Sequence, residues 1–324
     1  MPLKGKVILL TGGTGSFGEK FTEIVLKEHD PKAIRIFSRG ELLQMQMAQR
    51  FNHDPRLRFF IGDVRDKERL HLAMNGVDIV VHAAALKQIP ACEYNPFEAI
   101  QTNVMGAKNV IDAAMNRGVA KVMAISTDKA VNPVNLYGAT KLCAEKLLVQ
   151  GNSYTGDSGP LFGCVRYGNV IESRGSVFEV FKQQRENGKV TVTDKRMTRF
   201  WLTIEQGVRF VIDCIDKMRG GEVFVPKISS MRIMDLVEGI APGCEIEFIG
   251  IRSGEKLHEV LISRDESRHT CEVDNAYIVQ PAHFWWRPSF GSMGKSVPEG
   301  FQYTSDENDR WLSIEELRSV MESL

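Results

Sequence analysis

The sequence predicts an α/β protein built on a doubly wound parallel sheet, with a smaller C-terminal substrate-binding domain. Three observations carry that prediction: short apolar runs alternate with helical periodicity through the first half, the first run leads straight into a glycine-rich turn, and every later run ends in small or polar residues. The chain has 324 residues, 43% hydrophobic and 25% charged, with Lys+Arg and Asp+Glu balanced at 41 each, the composition of a globular protein with room for a large core. Zero formal net charge gives no reason to expect nucleic acid or an anionic membrane as partner, so any anion site is local. The cysteines, at 92, 143, 164, 214, 244 and 271, form no Cys-x-x-Cys pair, which argues against a zinc site or disulfide framework and for a reducing cytoplasm. The N-terminus runs directly into a strand-like segment and no apolar stretch approaches the ~20 residues of a membrane span, so neither an export signal nor an anchor is expected.

Residues 7–10 form the first strand and run into Thr11-Gly12-Gly13-Thr14-Gly15-Ser16-Phe17-Gly18, then into a helical pattern carrying Phe21, Ile24, Val25 and Leu26. Glycines 12, 15 and 18 let the chain turn tightly, let a pyrophosphate approach the backbone and let the helix pack on the strand. A tight turn without a ligand has the same pattern, but its placement at the first strand favours a Rossmann-type dinucleotide site. Residues 33–37 form the second strand, ending in Ser38-Arg39, where such folds read the adenosine ribose. An acidic residue there would hydrogen-bond the 2′-hydroxyl of NAD; a hydroxyl and a guanidinium suit the 2′-phosphate of NADP, although a solvated Arg at a helix entrance has the same look.

Strands over 58–61, 77–81 and 121–125 follow, ending in Gly62-Asp63-Val64, His82-Ala83-Ala84-Ala85 and Ser126-Thr127-Asp128-Lys129-Ala130. Ligands lie across such strand ends, which puts Asp63 at the adenine edge and Ala83 to Ala85 where a ligand approaches the backbone; Asp63 equally suits a helix N-cap. Helical periodicity occupies 70–76, 96–117 and 137–150, while 152–159 reads as a loop and 162–167 as another strand. Beyond Gly168 the alternation fades. The division expected is a dinucleotide-binding domain over 1–168, rejoined by about 203–228, and a mainly substrate-binding domain over 169–324.

Tyr137 and Lys141 are spaced i,i+4, so at a helix start both rise from one face. A nearby Lys⁺ favours phenolate, which a base needs to take a hydroxyl proton, although an ordinary amphipathic helix has this spacing too. Asp128-Lys129 adds an acid and an amine, which alone would make a surface ion pair.

In this order, the glycine turn, Asp63-Val64, the alanine run, Asn103, Ser126-Thr127 and Tyr137-x-x-x-Lys141 resemble the extended short-chain dehydrogenase/reductase superfamily. Ser38-Arg39-Gly40-Glu41-Leu42, Phe60-Ile-Gly-Asp-Val-Arg-Asp66, His82-Ala-Ala-Ala-Leu-Lys87, Ser126-Thr-Asp-Lys-Ala130, Arg166-Tyr-Gly-Asn-Val170, Arg196-Met-Thr-Arg-Phe-Trp201 and Arg252-Ser-Gly-Glu-Lys256 resemble the UDP-N-acetylglucosamine 4,6-dehydratases over nearly the whole chain, most nearly the C5-inverting type of the pseudaminic acid pathway. The resemblance implies NADP as cofactor, with Gly12, Thr14, Gly15, Ser16, Phe17, Gly18, Ser38, Arg39, Gly40, Glu41, Leu42, Asp63, Val64, Ala83, Ala85, Lys87, Asn103, Tyr137, Lys141 and Val170 around it. It implies UDP-N-acetylglucosamine as substrate, held by Lys87, Asn169, Arg174, Val177, Arg199, Arg252 and Glu255, the guanidiniums serving the pyrophosphate. In the implied cycle Tyr137, helped by Lys141, deprotonates the 4-hydroxyl while carbon 4 lends hydride to the cofactor; Lys129 removes the carbon 5 proton, Asp128, beside Thr127, protonates the departing 6-hydroxyl, and the hydride returns to carbon 6. Lys129 then needs a lowered pKa and Asp128 a raised one, whereas their adjacency stabilises both charges.

Two positions depart from the family pattern: Glu172 replaces a usual Gly near the substrate phosphates, and Gly40 a usual Asp beside the 2′-phosphate. A retaining dehydratase and a 4-epimerase needing only Tyr137–Lys141 are rival readings, and a non-catalytic NADP-sensing protein is a third that the intact Asp-Lys-Tyr-Lys set disfavours. The histidines, at 29, 53, 71, 82, 258, 269 and 283, show no metal-ligand spacing, and His258-Glu259 lacks a second His four residues after the first, so no metal is expected. Arg199-Phe200-Trp201 also suits a packed turn, and Trp285-Trp286 a contact patch or a folded-back tail. A homo-oligomer, paired through 96–117 and the Tyr–Lys helix, is implied by the resemblance.

Overall fold

The computed structural model describes residues 2–156, 159–171, 175–282 and 294–323. The first half alternates as expected: β1 Val7–Thr11, α1 Ser16–Glu28, β2 Ala33–Ser38, α2 Glu41–Arg50, β3 Leu57–Ile61, α3 Lys67–Ala73, β4 Ile79–His82, α4 Ile89–Tyr94, α5 Pro96–Ala99, α6 Gly106–Arg117, β5 Lys121–Thr127, α7 Leu136–Gly151 and β6 Leu161–Tyr167. The second half is β7 Asn169–Ile171, α8 Val177–Arg185, β8 Lys189–Val192, β9 Thr198–Thr203, α9 Ile204–Lys217, β10 Val223–Pro226, β11 Ser229–Arg232, α10 Ile233–Ile240, β12 Glu245–Phe248, β13 Val260–Ile262, β14 Thr270–Val273, β15 Ala276–Val279, β16 Lys295–Ser296, β17 Tyr303–Thr304 and α11 Ile314–Ser323.

The main sheet has the order β16-β14-β15-β10-β6-β5-β4-β1-β2-β3. From β3 to β10 the neighbours pair in parallel, and β15, β14 and β16 add antiparallel strands at the far edge. Its strands read as continuous apolar runs because both faces are covered: Val7 and Leu9 pack into one core with Val110 and Ala113, while Ile8 and Leu10 pack into the other with Phe21 and Val211. Strand order reverses between β1 and β4, which opens a crevice at their carboxyl ends.

One feature lies beyond the sequence expectation. Residues 96–117 form a broken rod: α5 passes through a π-helical stretch, Ile100–Met105, before α6. In the span 203–228 the chain forms α9 and β10, and β10 pairs in parallel with β6. A capping box starts α9, Thr203 accepting from Gln206 N and Gln206 from Thr203 N. An insertion between β6 and α9, made of β7, α8, β8 and β9, joins β11, α10, β12 and α11, which follow β10, to build the three-stranded β11-β9-β7 sheet, the β12-β8 pair and a third core of Phe178, Phe181, Val190, Trp201, Leu236 and Leu317. That insertion faces the strand ends of the main sheet and closes the crevice into a cleft.

Candidate active site

The cleft has a volume of about 1090 Å³. Its sheet-side wall includes Gly12, Thr14, Gly15, Ser16, Phe17, Ser38, Arg39, Gly40, Asp63, Val64, Ala83 and Ala85. Gly12 has φ +67°, and a Cβ there would lie 2.9 Å from the Ala84 backbone, so only glycine lets the first turn and the alanine loop close on one another. No side chain caps the start of α1, which leaves its amide end facing the cleft. These residues fit a dinucleotide: a bare-backbone cradle, an uncapped helix start and a guanidinium at the end of β2.

Four of the expected cofactor residues do not line the cleft: Gly18, Glu41, Leu42 and Asn103. A Cβ on Gly18 would overlap Gly13, so its role is to let α1 cross β1 closely. Glu41 and Leu42 open α2, with Leu42 exposed. Asn103, on the π-helical stretch, accepts from Leu86 N at 2.8 Å and donates to Leu86 O at 2.9 Å and Thr140 Oγ1 at 3.0 Å, tying the loop after β4 to α7. Its neighbour Thr102 reaches the cleft. Asp63 does not cap α3; Asp66 does, accepting from Arg69 N at 2.9 Å. Burial pushes the Asp63 carboxyl up, but Arg65, with its Nη2 at 2.7 Å, and Arg39, with Nη1 4.0 Å away, outweigh it and hold it below the ordinary aspartate value.

Toward the insertion, β5 ends at Thr127 and the chain turns through Asp128–Ala130. Asp128 is fully buried; its Oδ1 accepts from Thr127 Oγ1 at 2.8 Å and Lys129 Nζ at 3.1 Å, and its Oδ2 has no hydrogen-bond partner among the described residues. Burial, with Glu259 adding to it, raises the Asp128 pKa despite Lys129. Lys129 lines the cleft and bridges two carboxylates, since its Nζ also stands 3.3 Å from Glu259 Oε1. Burial works against the ammonium, but Asp128 and Glu259 outweigh it and hold Lys129 above the ordinary lysine value. The acid thus has the shift its role needs, and the amine the opposite one.

Asn135 caps α7 by accepting from Gly138 N at 2.8 Å, and its amide reaches Gly254 O at 2.7 Å. The helix start therefore brings Tyr137 and Lys141 to the cleft beside Thr127 and Lys129. The Tyr–Lys coupling differs from the sequence expectation: Lys141 Nζ donates to Ile125 O at 2.6 Å. Burial pushes the Tyr137 phenol up to about 12, opposed by Lys129 and a Thr127 hydrogen bond. Burial lowers the Lys141 pKa.

Asn169, Val170 and Val177 after β6, Arg252 and Glu255 after β12, and Lys87 from the loop after β4 also line the cleft. Asn169 Oδ1 is buried without a hydrogen-bond partner among the described residues, and burial lowers the Lys87 pKa. Arg199 also lines the cleft, with its guanidinium tied to the chain: Nη1 donates to Thr198 O at 2.7 Å and Leu257 O at 2.9 Å, Nη2 to Lys256 O at 3.0 Å, and Nε lies 3.7 Å from Glu259. Phe200 and Trp201 beside it are core residues. Arg174, Glu172 and Trp285-Trp286 lie outside the described residues. Among the described residues no three His, Cys, Asp or Glu side chains gather as a metal site, and no helix is long and apolar enough to cross a membrane.

A sequence profile described as "Polysaccharide biosynthesis protein" matches residues 8–281. The chain belongs to that family. Its relatives include the UDP-N-acetylglucosamine 4,6-dehydratase (inverting) of Campylobacter jejuni, 50% identical over 98% of this chain and 97% of the relative, which agrees with the resemblance read from the motifs. The UDP-glucose 4-epimerase of Rickettsia conorii is 40% identical over 98% of this chain and 96% of its own. Among solved structures, Pen from Bacillus thuringiensis superposes with a TM-score of 0.90 at 38% identity, all of both chains being covered.

Two site residues of this family member escaped the sequence reading, Lys256 and Glu259, which both line the cleft. His258-Glu259 drew notice only as an incomplete metal motif, and Lys256 only as the end of Arg252-Ser-Gly-Glu-Lys. Glu259 pairs across more than a hundred residues with the strand-end turn, so no local spacing marks it.

Proposed function

We propose that this protein is an NADP-dependent UDP-N-acetylglucosamine 4,6-dehydratase that inverts carbon 5, a hydro-lyase of a cytoplasmic glycan pathway of the pseudaminic acid type. The observation that carries this reading is the Asp128–Lys129 pair, whose Lys129 lines the cleft with Tyr137 and whose fully buried Asp128 is hydrogen-bonded to that amine: an acid and a base for elimination beside a phenol for hydroxyl deprotonation. The substrate-side segments that close the cleft and the Campylobacter jejuni relative's name support the nucleotide-sugar substrate.

A bound nicotinamide dinucleotide supplies the hydride acceptor at carbon 4 and the hydride donor at carbon 6. Tyr137 takes the 4-hydroxyl proton, and the resulting ketone acidifies carbon 5. Elimination then needs Asp128 protonated and Lys129 neutral, whereas both charges pair at rest. The 3.1 Å hydrogen bond between them resolves this: moving one proton from Lys129 Nζ to Asp128 Oδ1 creates acid and base together. Lys129 takes the carbon 5 proton, Asp128 gives its own to the leaving hydroxyl as water, and the pair regains its starting charges; as hydride returns to carbon 6 a solvent proton enters carbon 5 on the face opposite the one deprotonated, and Tyr137 releases to solvent the proton it took.

The rival reading, a 4-epimerase, is favoured by the Rickettsia conorii relative's name and needs only Tyr137 and the cofactor. It leaves the Asp128–Lys129 pair, fully desolvated on the Asp side, without work. Incubation with UDP-N-acetylglucosamine and NADP⁺ in deuterated water, followed by proton NMR, separates the two. A new methyl signal with deuterium at carbon 5 supports dehydration, and its coupling constants give the stereochemistry; a 4-epimer without methyl formation overturns it.

A further inference from the structure

We propose that Glu259 is the positioning residue of the acid–base pair, a fixed buried carboxylate that holds the Lys129 amine at the cleft and keeps one shared proton on Asp128 and Lys129. The inference rests on the dehydratase reading for what that proton does.

Glu259 precedes β13, is nearly fully buried and is far from Lys129 in sequence, but in space its Oε1 is 3.3 Å from Lys129 Nζ and 3.7 Å from Arg199 Nε, with Oε2 3.7 Å from Lys256 Nζ. Its backbone is clamped on both sides by Ser305, whose Oγ accepts from Glu259 N at 2.9 Å and whose N donates to Glu259 O at 2.9 Å. The Oε2 atom nevertheless has no hydrogen-bond partner among the described residues. A carboxylate so placed is costly unless it serves the groups around it.

Those groups are few. Facing the pair and Glu259 are Asp128 and Lys129 from the strand-end turn, Tyr137 from α7, Arg199 from β9 and Lys256 from the loop before β13; His258, its Nδ1 2.8 Å from Thr198 Oγ1, pairs outward with Asp306 at 3.9 Å. Arg199 and Lys256 are spent on backbone carbonyls, Lys256 Nζ lying 2.5 Å from Val131 O, so neither moves with the reaction. Among the described residues Lys129 alone spans both carboxylates. When it takes the carbon 5 proton, the new ammonium forms against Glu259, and while the proton resides on Asp128 the negative Glu259 keeps it there. Arg199 thereby acts on the chemistry through Glu259 rather than on substrate phosphates.

The pair functions with one proton: with two it lacks a base, with none it lacks an acid. Removing the Glu259 charge lowers both macroscopic pKa values, so the pH profile of kcat for methyl formation in Glu259→Gln moves toward acid by ~1 pH unit or more, with KM within about threefold. Glu259→Asp, which keeps the charge, restores the position of the profile. Unmoved limbs in Glu259→Gln, or a loss confined to KM, overturn the proposal. A second arm needs no turnover: the pH dependence of Lys129 labelling by trinitrobenzenesulfonate, read by peptide mass spectrometry, shifts to lower pH in Glu259→Gln and not in Glu259→Asp. Absence of methyl product from the wild type with the labelling shift present sinks the dehydratase reading and leaves the Glu259–Lys129 coupling; identical labelling curves sink the coupling itself.

Discussion

Gly138 presses its Cα against the carbonyl oxygen of Lys129, so closely that a Cβ there would overlap that oxygen and stand 3.1 Å from Pro133 Cβ. The helix carrying Tyr137 and the turn carrying Asp128-Lys129 are thus locked in one register through a bare backbone. Gly138→Ala forces them apart and is expected to cost about 1–3 kcal/mol of stability as an overpacked contact. The displaced Tyr137 and Lys129 then lose alignment, for a roughly 100-fold fall in turnover. Thermal melting and product formation check both; a variant with wild-type turnover would show that the register is unimportant.

Lys129→Met removes the amine while keeping the side chain's length. Methyl formation is expected to fall by ~10²–10⁴-fold, the range for loss of a general base, while NADP affinity stays near wild type because the glycine turn and Ser38-Arg39 lie on the other wall. Cofactor titration by fluorescence and product NMR report the two quantities separately. Near-normal methyl formation refutes Lys129 as the base.

Arg39 stands at the end of β2 with its side chain 61% exposed and no closer charged partner than Asp63, 4.0 Å away, among the described residues. A guanidinium so placed is open to a 2′-phosphate. Arg39→Ala is expected to weaken NADP by roughly 10–100-fold, the worth of a charge-assisted hydrogen bond, and to leave NAD affinity within a few-fold. Equal weakening of both cofactors would assign Arg39 a structural role.

What the sequence made legible follows how local each signal is. The glycine turn, β1 to β6 and the Tyr137–Lys141 spacing were readable because strand runs, turn chemistry and helical period act within about ten residues. The π-helical stretch was not, since its extra residue leaves the apolar pattern of 96–117 looking like one helix; it is what turns Asn103 away from the cleft onto Leu86 and Thr140. The alternation looks faded after Gly168 because β7, α8, β8 and β9 interrupt the crossover from β6 to β10, although 203–228 reads as a return to the first domain. Charge environment was the least legible: proximity of Lys129 to Asp128 was evident, but the second carboxylate that adds to Asp128 in raising its pKa comes from far along the chain.

Arg166 carries a second buried cluster with a structural role. Its guanidinium binds Glu145 at 3.0 Å and Glu266 at 2.9 Å and donates to Leu261 O at 2.8 Å, joining α7, β6 and the segment after β13. Burial pushes the Glu266 carboxyl up, but Arg166 and Ser263 outweigh it and hold it below the model-peptide value of 4.5. A lowered folded pKa contributes stability that is fully present above the unfolded value and is lost as pH falls through the folded one. Glu266→Gln is therefore expected to cost about 2 kcal/mol at pH 7, less than a wholly orphaned buried charge because Glu145 remains. Urea unfolding at a series of pH values should show that deficit closing below about pH 4.5. A deficit that stays constant into acid would mean that packing, not charge, is what the substitution removes.

Tyr94, Phe97, Ile100 and Met105 recur every three to five residues along α4, α5 and the π-helical stretch, and they are exposed, Tyr94 by 87% and Phe97 by 80%. Apolar surface of this kind on neighbouring elements marks a contact face, and a two-fold partner of the same chain would bury it against its own copy. The protein is expected to run as a dimer or larger assembly in size-exclusion chromatography with light scattering. Phe97→Glu should shift it toward the mass of a single chain, because a buried like-charge pair would then sit near the symmetry axis. A wild-type protein that is monomeric at tens of micromolar, or a Phe97→Glu variant with unchanged mass, would remove this face as the site of assembly.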